Sequence, residues 1–302
     1  MAKALISGLI NCETTLKIDK FPIDYFPVTY PFFGINSSVS GVGFNVAKAL
    51  KKLGDDVSLL SFAGTKNCEY IVKRTLESCG IDHSAVRFTL DSTPQSIIIY
   101  DPSGKRQIHV DLKDIQQQEY PLDEFRRYAK DSDLIVLCNI NFSRPLLYEA
   151  KKMNKLIATD VHAISNVHDE YNADFMRYSD VLFFSDEHIG YDVMNFTNQV
   201  MEAYSNEIIV VGLGEKGSLL CVKADNFMEI FPAAHAPEIK NTIGAGDALF
   251  SAFVHFYIKN KNPYEALKLA QVFAARKISC AGGADGYIGE SELLASQSFS
   301  NF

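Results

Sequence analysis

Basic clusters are missing from this sequence. Its 29 Lys and Arg are outnumbered by 37 Asp and Glu, for a formal charge of −8, and cations never stand more than two together. That balance excludes a protein that grips nucleic acid or acidic lipid through displaced counterions. Pairs such as Lys51-Lys52 and Arg126-Arg127 read as solvated helix faces. Long apolar runs are missing too, and none approaches the about 18 residues of a membrane span. The six cysteines (12, 68, 79, 138, 221, 280) form no C-x-x-C, and the seven histidines form no H-E-x-x-H. A disulfide framework and a zinc site are therefore set aside in favour of reduced thiols. His162 and His168, six apart, do not share a helix face and read as loop residues. The start, MAKALISGLINC, faintly resembles a lipoprotein leader, but Asn11 stands where a small residue should precede Cys12. A buried first strand, ALISGLI, explains the same residues, and a cytoplasmic protein is expected.

What is present is material for a large core: 302 residues, 47% hydrophobic. Near-continuous apolar runs recur at 57–62 (VSLLSF), 134–138 (LIVLC), 156–160 (LIATD), 181–184 (VLFF) and 208–211 (IIVV). Such runs suit strands buried on both faces of a parallel sheet. Helical patterns lie between them. In GFNVAKALKKLG the residues Val46, Ala47, Leu50 and Leu53 share a face and Gly54 can close the helix; CEYIVKRTLESCG ends likewise at Gly80. The alternation predicts an α/β fold, a mainly parallel central sheet with helices on both faces.

Two excursions break the rhythm. Residues 12–38 carry three prolines and many aromatics without helical period, and 95–111 read as two β runs around the turn Asp101-Pro102-Ser103-Gly104. They are either surface loops or one accessory β sheet. The second is preferred, because two separated β excursions are most simply placed side by side. This predicts a small β lid drawn from about 12–38 and 86–112, whose aromatics would also suit a homodimer contact.

Glycine motifs carry the chemistry. GLGEKG (Gly212–Gly217) follows a strand and matches G-x-G-x-x-G, yet SLLCV after it reads as another strand. A dinucleotide fingerprint needs a helix there, so this is a hairpin turn. NTIGAGDALFSAF has the helix: Leu249, Phe250, Phe253, Val254, Tyr257 and Ile258 follow Asp247 at helical spacing. Gly244-Ala245-Gly246 would bring backbone N–H groups to an anion at that helix's positive end. On spacing alone Asp247 is as well explained as a helix cap.

This stretch resembles the second signature of the ribokinase family, the phosphofructokinase-B group of carbohydrate kinases (D-T-x-G-A-G-D). SGVGFNVAKALKKLG resembles its partner motif, G-G-x-x-x-N-x-A-x-x-L-x-x-L-G. Element order and the lid fit as well, so the resemblance covers essentially all of 1–302 as one kinase domain. It implies a ribokinase-like fold and ATP-dependent phosphoryl transfer with Mg²⁺. Asp247 becomes the base, and the amides of Gly244, Ala245 and Gly246 the anion hole. Asn11, Glu13, Gly41, Gly43 and Asn45 are implied at the acceptor, with Arg106 reaching over it from the lid. Gly212, Gly214, Gly217, Asn241, Thr242 and Ala274 are implied at the nucleotide, the helix PYEALKLAQVFAARKIS flanking adenine.

Several positions depart from the family pattern. Glu13 stands for the usual Asp, Ser40 for the first glycine of a pair, and His162, two after Asp160, for a common Asn. Asn241 replaces the Asp of a region linked to monovalent-cation binding in relatives, which weighs against K⁺ activation. Where N-x-x-E is usual the chain has Ser185-Asp186-Glu187-His188, leaving Asp186 and Glu187 as candidate organisers of Mg²⁺ through water. The leading expectation is a sugar kinase. Its rivals are a nucleoside kinase, with Phe21, Tyr25, Phe26, Phe32 or Phe33 stacking a base, and a non-catalytic binding protein on the same scaffold. A small-molecule partner is expected, with no nucleic acid and no membrane.

Overall fold

A computed structural model describes residues 1–66, 68–190, 192–236, 238–280 and 282–297. The apolar runs become strands β1 (Lys3–Ser7), β2 (Asn11–Lys17), β3 (Ile35–Ser40), β4 (Asp56–Lys66), β5 (Val86–Ser92), β6 (Gln95–Tyr100), β7 (Arg106–Asp111), β8 (Leu134–Leu137), β9 (Ile157–Ala163), β10 (Val181–Ser185), β11 (Ile208–Gly212), β12 (Ser218–Val222) and β13 (Phe227–Phe231). The helices are α1 (Val42–Leu53), α2 (Glu69–Ser78), α3 (Leu122–Ala129), α4 (Arg144–Lys152), α5 (Ala173–Tyr178), α6 (Val193–Ala203), α7 (Ala245–Asn260), α8 (Pro263–Lys277) and α9 (Glu290–Gln297).

The main sheet runs β13-β12-β11-β10-β9-β8-β1-β4-β5. It is parallel from β5 to β11 and antiparallel at β12 and β13. β8 is buried at all four residues and β11 at its first four, because apolar clusters cover both faces. Ile6 and Val136 face a cluster built on α1, α7 and α8 through Phe44, Phe250, Phe253 and Phe273. Leu5, Ile135 and Leu137 face the opposite cluster with Phe125, Leu146, Phe175 and Phe196. Each buried phenylalanine contributes about 1.5–3 kcal/mol. Two of them, Phe250 and Phe253, tie α7 to Phe183 of β10, so the start of α7 is held against the sheet. The GLGEKG segment is the hairpin turn that its flanks predict, since β12 pairs antiparallel with β11.

The lid is a four-stranded sheet, β3-β2-β6-β7. Its boundary differs from expectation. Val86–Ser92 pairs parallel with β4 and is the edge strand of the main sheet, so the second lid contribution begins at Gln95. The reason is burial: Val86 and Leu90 pack into the two core clusters. Register places Asn11, Glu13, Ser96, Ile98, Arg106, Ile108 and Val110 on one face of the lid, the partner pairs being Glu13↔Ser96, Ser96↔Val110, Ile98↔Ile108 and Tyr100↔Arg106. Among the described residues no helix is long and apolar enough to cross a membrane.

Candidate active site

Parallel strands deliver their carboxyl ends to one edge, where open α/β sheets hold ligands. Ser185 and Gly212 end β10 and β11 in register there. The start of α7 joins them. Gly244 caps α7 at φ 75°, and a Cβ on it would lie 2.1 Å from the Gly283 carbonyl oxygen. Only glycine lets the chain turn into the helix so close to the 282–283 backbone. The Ala245 N–H donates to the Thr242 carbonyl at 3.2 Å. The next two amides of that turn, Gly246 and Asp247, have no partner among the described residues, as expected of a helix start. Of the Gly244–Gly246 amides, that of Ala245 is therefore occupied, and the Gly246 and Asp247 amides are the free ones at the start of α7. Gly246 is exposed, and space beside it is open.

Asp247 Oδ2 accepts a 2.7 Å hydrogen bond from Asn45 Nδ2, and Asn45 Oδ1 accepts from Ser40 Oγ at 3.3 Å. A relay thus runs from the last residue of β3 through α1 to α7, and Ser40 serves it where the family pattern has glycine. Burial pushes the Asp247 carboxyl above its ordinary range; the Asn45 bond and the charges of His162 and Lys277 pull it back, while Asp160 pushes it up. Asp160 Oδ1 also accepts from the His162 N–H at 2.8 Å, holding His162 at φ 60°. That left-handed backbone is unusual outside glycine.

Glu13 and Asn11 sit on β2, nearly fully buried. Burial raises the Glu13 carboxyl, Ser40 and the Gly283 amide pull it down, and the nearby Asp247 charge adds to the rise. Glu13 Oε1 and Asn11 Oδ1 have no hydrogen-bond partner, although Asn11 Nδ2 donates to Ser96 Oγ at 2.9 Å. Gly41 and Gly43 act through packing. A Cβ at Gly41 would meet the Leu9 carbonyl at 2.6 Å, and one at Gly43 would meet Gly8 at 2.4 Å, so they seat α1 on the β1–β2 turn.

Arg106 shares the lid face of Glu13, but its guanidinium clasps the loop before α7. It donates to Thr242 Oγ1 and to Glu187 Oε1, both at 2.9 Å. Glu187 and Asp186 form a single 3₁₀ turn after β10, and the Glu187 N–H donates to Ser185 Oγ at 3.3 Å. Among the described residues no three His, Cys, Asp or Glu side chains group around a cation position. The Asp186 and Glu187 carboxylates at this sheet edge would suit a hard cation that keeps most of its waters. Among the glycines of the β11–β12 turn, Gly214 has open space beside it and Gly212 only the Phe184 carbonyl at 3.9 Å, whereas Gly217 is fixed by the Phe231 carbonyl, 2.0 Å from any added Cβ. Asn241 is turned inward: its Nδ2 donates to the Cys280 carbonyl at 3.4 Å and its Oδ1 accepts from Ile243 N–H at 3.1 Å. Ala274 lies half-buried on α8, packed on the core beneath that edge.

Lys277 escapes the motifs. It is fully buried, and its Nζ donates to the Gly282 carbonyl at 2.7 Å. Its position could be read from helical spacing, since Ala266, Ala270, Phe273 and Lys277 recur on the buried face of α8. Ser96, by contrast, has no signal in its own neighbourhood, because only the β2–β6 pairing brings it to Asn11.

A family model described as the pfkB family carbohydrate kinase matches residues 13–288. The chain belongs to the pfkB family of carbohydrate kinases. This pfkB-family kinase is 21% identical to an ATP-dependent ribose-1-phosphate kinase of Halopiger xanaduensis over 91% of each chain. A deoxyribokinase of Salmonella typhi is 33% identical over 26% of this chain and 25% of its own length. Among solved structures, a microbiome-derived acarbose kinase is similar with a TM-score of 0.86 at 18% identity, covering 97% of this chain and 98% of that one. A ribokinase of Giardia lamblia is similar with a TM-score of 0.85 at 15% identity over 99% of each. At such identities the structural likeness speaks for the ribokinase-like fold of this kinase.

Proposed function

We propose that the chain transfers the γ-phosphoryl group of ATP to a hydroxyl of a sugar, with Asp247 as the base. The observation that carries this is the pairing of an Asn45-held carboxylate at a helix N-terminus with unpartnered buried acceptors, Asn11 Oδ1 and Glu13 Oε1. Buried acceptors without donors are costly, and hydroxyl groups supply donors. A polyol seated on Asn11 and Glu13 would present one hydroxyl to Asp247. The raised affinity of Asp247 for protons suits a group that orients the hydroxyl and takes its proton late, as bonding to phosphorus makes it acidic.

The amides of Gly246 and Asp247, with the positive end of α7, would meet the charge on the migrating phosphoryl group. Gly212, Gly214 and Thr242 would seat the nucleotide, with Ala274 under the adenine side. Mg²⁺ would arrive on the phosphates, Asp186 and Glu187 ordering its waters, and would neutralise phosphate charge. Arg106 would pass from Thr242 and Glu187 to the phosphates as the lid closes. The six free thiols suit a reducing compartment, and the cytoplasm is the setting proposed.

A second reading, nucleoside phosphorylation, is favoured by one feature. Ile98, Ile108 and Val110 continue the lid face of Glu13 and Ser96, an apolar flank suited to a ring beside the hydroxyls. ADP release from Mg·ATP should be followed across free sugars, sugar phosphates and nucleosides, with Asp247→Asn in parallel. A sugar that supports turnover only in the wild type upholds the proposal. Turnover with nucleosides alone would select the second reading, and equal turnover in the variant would remove Asp247 from its role.

A further inference from the structure

Two segments meet behind the start of α7, residues 240–244 leading into it and residues 278–280 and 282–283 following α8. Lys240 and Asn241 N–H groups both donate to the Ile278 carbonyl, and Gly244 touches Gly283. A monovalent metal ion between such loops would be held by backbone carbonyls and an anionic side chain at 241. Here that donor set is already used. The Cys280 carbonyl accepts from the Asn241 amide, the Gly282 carbonyl accepts from Lys277 Nζ at 2.7 Å, and position 241 has no charge. Among the described residues, this neutral, already bonded set does not fit a metal ion.

We infer that the Lys277 ammonium is the resident cation of this loop pair, and that the kinase reaction proposed above runs without a monovalent metal ion. Lys277 ends α8, where the helix dipole favours positive charge. It is completely buried, a position that a lysine holds only with a reason, because an apolar side chain would pack there without desolvation cost. Its Cε would lie 3.3 Å from a Cβ on Gly244, so the ammonium stem abuts the residue that caps α7. Burial lowers the Lys277 affinity for protons, and the carboxylates of Asp285, Asp247 and Glu13, two of them the proposed base and acceptor carboxylates, oppose that and favour the ammonium. Lys277 is thus a positioning residue: it fixes Gly282–Gly283 against Gly244 and balances the carboxylates across the anion site.

The test compares wild type, Lys277→Ala and Lys277→Met in choline, sodium, potassium and ammonium chlorides at equal ionic strength. Wild-type kcat is expected to be the same in all four. Lys277→Ala should lose about tenfold or more in kcat, with acceptor KM moving less, and K⁺ or NH₄⁺ but not choline should restore part of it. Lys277→Met, which fills the space without charge, should stay low in every salt. A wild type that needs K⁺, full activity in Lys277→Met, or a loss in Lys277→Ala that no cation restores would each overturn the inference. Binding of the non-hydrolysable analogue AMP-PNP to the wild type, in potassium against choline chloride, decides the question without turnover. Equal affinity supports Lys277 as the cation, and K⁺-dependent affinity refutes it. Failure to find any acceptor counts against the kinase proposal and leaves this binding result standing.

Discussion

Asn45 in the first turn of α1 and Asp247 in the first turn of α7 are joined by a 2.7 Å hydrogen bond across 202 positions of sequence. The bond fixes one carboxylate oxygen, and in the proposed reaction the other meets the acceptor hydroxyl. Removing the carboxylate is therefore expected to lower kcat by ~10²–10⁴ in Asp247→Asn with little change in KM. Stability should move the other way. Burial raises the Asp247 carboxyl, so its ionised form opposes folding; that cost is absent below the ordinary carboxylate range of about pH 4 and appears as pH rises through the raised value. Asp247→Asn should melt higher than wild type at pH 7 and no higher near about pH 3.5. Calorimetry at the two pH values checks both signs.

Asn45→Ala separates positioning from basicity. The Asn45 bond pulls the Asp247 carboxyl down, so its loss leaves burial less opposed. The acid limb of the kcat/KM profile should shift to higher pH, and kcat at its plateau should fall by about ten- to a hundredfold from a misplaced carboxylate. A plateau loss without any shift of the acid limb would show that the bond orients Asp247 but does not set its proton affinity.

Much of this was legible in sequence, because the residues concerned are local. The apolar runs gave strands, the small-residue loop before Leu249–Phe253 gave the start of α7, and the family motif around Gly41 and Gly43 singled out Asn45. What stayed hidden depends on distant pairings. Arg106 reaches Thr242 and Glu187 only because the lid folds over the loop before α7, and Ser40 reads as a departure until its bond to Asn45 is seen. The lid boundary moved because apolar β5 residues suit either sheet, and pairing with β4 decides between them. That the Ala245 amide is spent on Thr242 is likewise a turn detail with no sequence signature.

Glu13→Gln tests the acceptor side. Its carboxyl is raised mainly by burial, so neutralising it should raise the melting temperature at pH 7 by the sign argued for Asp247. An amide also offers one acceptor where the carboxylate offers two, so a sugar hydroxyl loses its partner. Acceptor KM should rise by about tenfold with ATP KM unchanged, as expected for loss of a hydrogen bond to a charged group. A change confined to ATP KM would move Glu13 out of the acceptor site.

Arg106→Ala should free the lid. The two bonds from its guanidinium link β7 to the Thr242 loop and to the 186–188 turn. Hydrogen exchange in Arg106–Asp111 should quicken in the unliganded variant, and KM for ATP should rise as the phosphates lose the guanidinium proposed to reach them. Unchanged exchange in Arg106–Asp111 would mean that the clasp does not hold the lid.

The lid also carries an apolar surface that a lone chain leaves in water. Tyr25, Phe26, Tyr30, Phe32 and Phe33 are 66% to 101% exposed, and β7 is exposed along its whole length as an edge strand. Tyr30 and Phe32 stack on one another but cover little of this surface. Monomers seldom leave apolar patches above about 300–600 Å² uncovered, and a stable interface needs about 800 Å² from each partner. A second copy of the chain offers the same patch in return, which a two-fold contact requires. The wild type should therefore run as a dimer in light scattering at micromolar concentration. Tyr25→Asp/Phe32→Asp should be a folded monomer, because a charge in the centre of the contact cannot be desolvated cheaply. A wild type that stays monomeric across that range would leave these aromatics without a partner copy. Retention of the dimer in the variant would place the interface elsewhere.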